Sequence, residues 1–419
     1  MKLVHAADIH LDSPLRGLDR YDGAPSADLR VATRRAFVNL VDHCLEERVD
    51  ALLLAGDVYD GDWQDFNTGL FFVKQLARLR EAGIRVWAVL GNHDAASVIT
   101  RRLKLPENVT LLSHDAPQTS VDERLGLAVH GQSFAKRDVG EDLAAAYPRA
   151  LPGLLNVGLL HTALAGRPEH APYAPTTADR LASKGYAYWA LGHVHRAEVV
   201  SRDPWIVFPG NLQGRSVRET GEKGFVVVTA EGTEVRSVEP VAADVARWHD
   251  LSVDVSPARS PDDAATLVQR ALEAAAGASA GRLVAARVRL TGRGPVHVAL
   301  VRDLAATEAS VRAAAADVSG EVWVEKVVVR TLPEVDLAKA RERKDALGHV
   351  ARTVHDAAGD PETLKALAEE LRPLLEKLPA GLGEDGRLFD AAEPGKVEAF
   401  LAEVEATLVP MLVEGEERP

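Results

Sequence analysis

Three short apolar runs near the start of the chain, separated by helical patterns, constrain its fold most. Residues 2–6, Ala51–Ala55 and Val86–Leu90 have the length and aliphatic character of buried strands. Between the first two, Leu29, Val31, Ala32, Ala36, Leu40, Val41 and Leu45 roughly follow a helical period, with Ser26 placed to cap the helix. Between the second and third, Leu70, Phe71, Val73, Leu76 and Leu79 mark another helix, and Gly83 ends it. Strand, helix, strand, helix, strand predicts an α/β fold, a buried sheet with helices on its faces.

Each of these strands ends in polar residues of one chemical kind. Asp8-Ile9-His10 follows the first, Gly56-Asp57-Val58-Tyr59-Asp60 the second and Gly91-Asn92-His93-Asp94 the third. Further on, Val157–Leu160 ends in His161, and Tyr186–Leu191 leads into Gly192-His193-Val194-His195. Taken singly, each fragment has a plainer reading as a turn or a satisfied core residue, and asparagine has its own reasons to sit in a tight turn. Five such fragments, each on a strand exit, are better explained together. Strand exits of an α/β sheet open onto one crevice, which lets residues as far apart as Asp8 and His195 converge.

Asp8, His10, Asp57, Asn92, His161, His193 and His195 mix carboxylate, amide oxygen and imidazole. The set holds no thiolate, which excludes a structural zinc site of the cysteine type. It also exceeds what one tetrahedral ion needs. Two ions at octahedral-like sites suit it, with manganese or iron more natural than calcium. Two ions about 3.5–4 Å apart can share a bridging carboxylate and hydroxide and act on a phosphoryl group.

Weaker strand patterns follow at Val109–Leu112 and Leu127–His130. Those near Glu198, at Trp205–Phe208, Phe225–Thr229 and Glu234–Val238 predict a late antiparallel stretch around the turn-rich loop Pro209–Arg215. A first domain over residues 1–240 is expected, then a small α/β module over 241–330. A helical region over 331–419 completes the chain, with Pro361 at a helix start, Pro373 interrupting a helix and another helix ending near Pro410. The net charge is −13 and argues against coating nucleic acid by bulk charge. From Thr331 onward, however, 20 acidic residues face 11 basic ones, so the earlier part is near neutral and has room for a local basic groove. The single cysteine, Cys44, lies on an apolar helix face, which predicts core packing and fits a reducing cytosol. No apolar run approaches membrane-spanning length, and the first residues enter a strand pattern without a signal-peptide core, so a cytoplasmic location is expected.

The order Asp8-x-His10, Gly56-Asp57-x-x-Asp60, Gly91-Asn92-His93-Asp94, His161 and Gly192-His193-x-His195 resembles the calcineurin-like metallophosphoesterases. The stretch from His5 to Pro14, and Gly210-Asn211-Leu212-Gln213-Gly214-Arg215 with Arg218-Glu219-Thr220-Gly221, are similar to bacterial DNA repair exonucleases of the YhaO kind, relatives of the SbcD nuclease subunit. The resemblance implies a β-sandwich flanked by helices, then a small α/β capping domain and a helical tail. It also implies that Asp8, His10, Asp57 and His195 hold one Mn2+. Asp57, Asn92, His161 and His193 would hold a second, with Asp57 shared. His93 is then the catalytic candidate, contacting the scissile phosphate or protonating the leaving oxygen, and Asp94 orients a ligand. Some relatives carry a histidine near the place of Asp60. This chain does not, so no second catalytic histidine is assigned and Asp60 is expected only to support its neighbours.

The activity this implies is Mn-dependent exonuclease or endonuclease cleavage of DNA in repair. Arg16, Lys136, Arg137, Arg196, Arg215 and Arg218 lie in loops suited to phosphate contacts, and Phe134 and Trp63 are candidates for stacking on bases. Two other readings stand beside it. One is a phosphodiesterase or phosphatase of the same superfamily acting on small molecules or phosphoproteins. The other is a nuclease subunit working within a complex, its amphipathic tail docked on an SMC-like ATPase of the SbcC kind. The resemblance also admits a homodimer.

Overall fold

The computed structural model describes residues 1–13, 25–60, 66–96, 104–164, 173–318, 320–375 and 394–417. Its first twelve strands are β1 (Lys2–Ala6), β2 (Ala51–Leu54), β3 (Arg85–Ala88), β4 (Val109–Leu111), β5 (Gln118–Asp122), β6 (Leu127–Gly131), β7 (Leu155–His161), β8 (Tyr188–Gly192), β9 (Glu198–Arg202), β10 (Trp205–Phe208), β11 (Gly224–Glu231) and β12 (Glu234–Ala242). They form two six-stranded sheets, ordered β12-β11-β1-β2-β3-β4 and β5-β6-β7-β8-β10-β9. β1, β2, β3 and β4 run parallel, as do β6, β7, β8 and β10.

Side chains alternate across each strand, and both faces find apolar partners. Leu3, Leu53, Trp87 and Val228 of the first sheet share a core with Val129, Val157, Leu159, Ala190 and Val207 of the second. The other face of the first sheet, through Val4, Ala6, Leu52, Leu54 and Val86, packs on α1 (Ser26–Glu46) and α2 (Phe66–Glu81). Leu160, Trp189, Leu191 and Phe208 cover the far face of the second sheet, together with Tyr186 and Leu181. The fold is therefore a β-sandwich with helical cover. Cys44 belongs to the α1 core, where burial pushes its thiol up to about 12.

The structure adjusts several expectations. Pro25, not Ser26, takes the cap position of α1, and Ser26 is the first helical residue. Val31 and Leu70 point outward. The buried face of α1 runs through Leu29, Ala36, Phe37 and Leu40, and that of α2 through Phe72, Leu76 and Leu79. At about 100° per residue, Val31 and Leu70 lie roughly 200° from Leu29 and Phe72. The strand Gln118–Asp122 gave no apolar signal because it is a partly exposed edge strand, paired among the described residues only to β6, antiparallel. β9–β10 and β11–β12 are two antiparallel hairpins, but they belong to different sheets. The connection from Phe208 to Gly224 therefore crosses from one sheet to the other.

Later in the sequence, β13 (Ala246–Asp254), β14 (Leu283–Gly294) and β15 (Val322–Pro333) pair as a three-stranded sheet. The helix Pro261–Ala278 follows its first strand, and the helices His297–Arg302 and Leu304–Ala316 follow its second. The chain divides into two compact units, Met1–Asp250 with Ala275–Ala286 and Gly320–Glu325, and Leu251–Ala274 with Arg287–Ser319 and Lys326–Pro419. In the second unit, the helices Leu337–Glu342, Ala346–Gly359 and Pro394–Glu417 share a core of Ala340, Leu347, Ala351 and Val409. Arg341 Nε donates to Glu405 Oε1 at 2.6 Å, and His297 Nε2 lies 3.1 Å from the Ala406 carbonyl. The last helix continues through Pro410 to Glu417 rather than ending there. Among the described residues, no helix is long and apolar enough to cross a membrane.

The phase of α2 is directly testable. Leu76→Ala should cost roughly 2–5 kcal/mol in denaturant unfolding, while Leu70→Ala, 58 % exposed, should stay within about 0.5 kcal/mol of the parent. Similar losses from both would contradict the packing face described.

Candidate metal centre

All the strand exits singled out in the sequence open at one end of the sandwich. The backbone there is strained. Asp8, His10, Asp57 and His193 have φ of +51°, +46°, +53° and +102°. Such conformations cost non-glycine residues about 1–3 kcal/mol each and persist only where the surroundings impose them. Here Asp8 N donates to the Gly56 carbonyl at 3.0 Å, Ile9 N to Asp57 O at 2.9 Å and Leu11 N to Val58 O at 2.9 Å. Glycine makes the close approaches. A Cβ on Gly192 would lie 2.0 Å from the Ala55 carbonyl oxygen, and one on Gly91 would lie 2.2 Å from Asp57 Oδ1.

Among the described residues the side chains converge in three groups, each with its ligating atoms within 4.8 Å of one another: Asp8, His10 and His195; Asp57, His161 and His193; and His10, Asp60 and His93. His10 Nε2 faces His195 Nε2 at 3.3 Å, and His195 Nε2 is 3.8 Å from Asp8 Oδ1. His161 Nε2 lies 3.0 Å from Asn92 Oδ1 and 3.4 Å from Asp57 Oδ2. Its Nδ1 is 2.9 Å from the Ala55 carbonyl, which can only accept, so Nδ1 carries the hydrogen. Nε2 of the neutral ring is then a lone pair aimed at two oxygens that are also acceptors. Such an arrangement calls for a positive charge, either a proton on Nε2 or a metal ion held by the three atoms.

Burial disfavours charge on His161, but the Asp57 carboxylate outweighs it and pushes its pKa up to about 9. Burial alone would raise Asp57, yet His161 and the neighbouring imidazoles hold it well below the usual carboxylate range. Burial, and then the Arg215 charge, push His10 down to about 4. Burial raises Asp8, against the pull of His195 and His161. The displacements of His161 and Asp57 both favour a proton on His161 beside the Asp57 carboxylate.

Other polar residues hold these donors in place. His195 Nδ1 is 2.7 Å from Glu219 Oε1. Glu219 Oε2 accepts from Asn211 Nδ2 at 2.9 Å and from Arg215 N at 2.8 Å. Carboxylate–histidine pairs of this kind fix the ring orientation and raise its basicity as a ligand. Sequence reasoning assigns Glu219 no role of its own, although it lies in the stretch Arg218-Glu219-Thr220-Gly221 that is similar to the YhaO kind. Asp60 Oδ1 is 3.1 Å from His93 Nδ1 and 3.5 Å from His10 Nδ1, while its Oδ2 accepts from Ser13 Oγ at 2.5 Å. Asp94 Oδ1 accepts from Tyr59 N at 3.0 Å and its Oδ2 from Gly91 N at 3.1 Å, joining two of the loops. His93 N donates to Asp57 Oδ1 at 2.9 Å, and its side chain remains 28 % exposed.

The basic residues divide. Arg215 reaches into the site, with NH2 2.9 Å from Glu219 Oε1 and NH1 3.9 Å from Asp60 Oδ2. Lys136, Arg137, Arg196 and Arg218 are exposed. Phe134 is buried, its ring edge-on to His161 with centroids 5.5 Å apart, so the core and not a base occupies its faces. Arg16 and Trp63 lie outside the described residues.

Residues 1–197 match the family model of calcineurin-like phosphoesterases, and residues 248–332 match that of the middle domain of the metallophosphoesterase YhaO. Residues 1–197 are thus a calcineurin-like metallophosphoesterase domain, of a class of metal-dependent phosphoesterases. Within that class its relatives include the uncharacterized metallophosphoesterase YhaO of Bacillus subtilis (strain 168), 36 % identical over 264 residues. The alignment covers 62 % of this chain and 64 % of YhaO, a little under two thirds of its length. The DNA double-strand break repair protein Mre11 of Sulfurisphaera tokodaii is 23 % identical, over 61 % of this chain and 66 % of its own. The SbcD component of the SbcCD nuclease of Rhodobacter capsulatus is 38 % identical over 26 % of this chain and 24 % of its own.

Metal binding should release the proton held by His161. With a pKa near 9 in the metal-free protein, the ring is mostly protonated at pH 7, so Mn2+ affinity should rise between pH 6 and pH 9 and level off above. Calorimetric titration in buffers of different ionisation enthalpy measures the released proton directly. An affinity independent of pH over that range would contradict the assignment.

Proposed function

We propose that the chain is a manganese-dependent nuclease that hydrolyses DNA phosphodiester bonds, as an exonuclease with endonuclease activity, and acts in DNA repair in the cytoplasm. The observation that carries this reading is the convergence of metal-donor atoms from Asp8, His10, Asp57, Asn92, His161 and His195 at one end of the sandwich. Among the relatives, Mre11 is named for double-strand break repair and the SbcCD protein as a nuclease, which favours DNA over a small phosphoester.

The donor set fits two divalent ions, since its carboxylates, amide oxygen and imidazoles suit Mn2+. Asp8, His10, Asp57 and His195 would hold one ion, and Asp57, Asn92, His161 and His193 the other. When bound, such a pair polarises a phosphoryl group and supplies a nucleophile at neutral pH. The chain's own residues do the rest. Glu219 and the Ala55 carbonyl fix which nitrogen His195 and His161 present. His93, placed by Asp60 through Nδ1, has its Nε2 available to a substrate oxygen. Burial opposes charge on His93, but Asp60 and Asp57 outweigh it and raise its pKa, which suits a group that stabilises developing negative charge or protonates the leaving oxygen. Lys136, Arg137, Arg196 and Arg218 are exposed for contact with backbone phosphates, which position DNA without reading its sequence.

Purified protein with Mn2+ should release nucleotides from linear DNA, and Asp57→Ala should lower the rate by about 10³-fold or more, some 4 kcal/mol of transition-state stabilisation. A panel of small phosphoesters run beside DNA separates the substrate classes. Turnover of the panel with intact DNA, in protein shown to hold metal, would sink the nuclease reading.

The SbcCD relative is named as a subunit, and we extend this to an SMC-like ATPase partner of the SbcC kind, docked on the helical region after Thr331. Truncation before Thr331 should abolish co-purification with an ATPase encoded nearby. Retained binding would remove that region as the docking element.

A further inference from the structure

His5 is fully buried on β1 and takes no part in the chemistry assigned above. Its two flanking residues on the same face, Leu3 and Ala7, belong to the apolar core shared by the two sheets. Its Nε2 is 3.1 Å from the Leu191 carbonyl and its Nδ1 is 2.9 Å from the Tyr188 hydroxyl. A carbonyl can only accept, so Nε2 carries the hydrogen and donates. Nδ1 of the neutral ring is then a lone pair, and the Tyr188 hydroxyl donates to it. Burial pushes the imidazole down to about 3, which keeps it in this neutral form across the working range of pH.

The partners lie on the other sheet. β1 belongs to the first sheet, and Tyr188 and Leu191 lie on β8 in the second. Apolar packing between sheets is non-directional and does not by itself fix how far one slides along the other. A ring bonded at both nitrogens does. His5 stands three residues before Asp8 and five before His10. Leu191 stands two residues before His193 and four before His195. Hydrogen bonds from His161 Nδ1 to Ala55 O and from His193 N to Asp8 also join the sheets at this end, but they are made by the candidate ligands themselves. The His5 bridge lies one layer deeper.

We propose that His5 is a positioning residue of the metal centre, bonded to Leu191 and Tyr188 so that the exits carrying Asp8 and His10 and those carrying His193 and His195 are spaced to hold ions. The inference rests on the metal-centre reading above. His5 sets the spacing without touching metal or substrate.

The test is calorimetric titration of the full chain with Mn2+, with unfolding of the metal-free protein followed in parallel. Wild type must bind Mn2+, and Asp57→Ala must bind it far more weakly. If wild type fails to bind, the metal-centre reading falls, and that outcome is distinct from failure of this inference. His5→Phe fills the same space without either hydrogen bond and should weaken Mn2+ binding about ten-fold or more, the scale seen when residues that orient metal ligands are removed. His5→Gln restores an N–H for the Leu191 carbonyl and should return affinity to within about three-fold of wild type. A folded His5→Phe with wild-type affinity, even if less stable to denaturant, would show a core-filling residue only and overturn the proposal. If His5→Phe does not fold, Tyr188→Phe decides the matter in the same way: affinity weakened about three-fold or more supports the role, and unchanged affinity overturns it.

Discussion

The candidate centre depends on two sheets meeting in register at one end. Asp8, His10, Asp57 and Asn92 leave strands of the first sheet, while His161, His193 and His195 belong to the second. Neither sheet alone completes the proposed set of donors for either ion. The strongest local constraint is the His161 ring, pinned by the Ala55 carbonyl on one side and by Asn92 and Asp57 oxygens on the other. The glycines that border it allow this closeness, since a side chain at Gly192 would meet the Ala55 carbonyl.

This constraint accounts for the electrostatics. Buried carboxylates beside buried imidazoles are stable only if a positive charge is shared among them, by a proton or by a metal. The opposite displacements of His161 and Asp57 express that sharing. The left-handed backbone at Asp8, His10 and Asp57 belongs to the same account, because strain of that size survives where hydrogen bonds to the neighbouring exit over-determine the loop.

Much of the arrangement was legible in the sequence. Parallel strands buried on both faces read as plain apolar runs, and the polar residues just past them stand out by contrast. Asp8, Asp57, Asn92, His161 and His195 were therefore visible without the structure. What the sequence hid had physical causes. Strand β5 has little apolar content because it is partly exposed at the edge of its sheet among the described residues. The outward turn of Val31 and Leu70 depends on helix phase, which two nearly equivalent apolar stripes leave ambiguous. Glu219 acts through a loop fold that no periodicity announces. Arg215, suited by sequence to an exposed phosphate contact, sits instead among Glu219, Asp60 and His195 because the same loop turns inward.

That loop has a consequence for how the fold can be divided. The stretch recognisable as a phosphoesterase ends at residue 197, yet the carboxylate that orients His195 arrives at 219, after the chain has crossed from one sheet to the other. β11, which follows, then pairs with β1, whose exit carries Asp8 and His10. The segment that looks like the enzyme is thus shorter than the segment that must be inherited together. Grafts, splits and chimaeras made at the recognisable boundary would sever a candidate ligand from its support, and His195 and Glu219 should change in evolution as a pair.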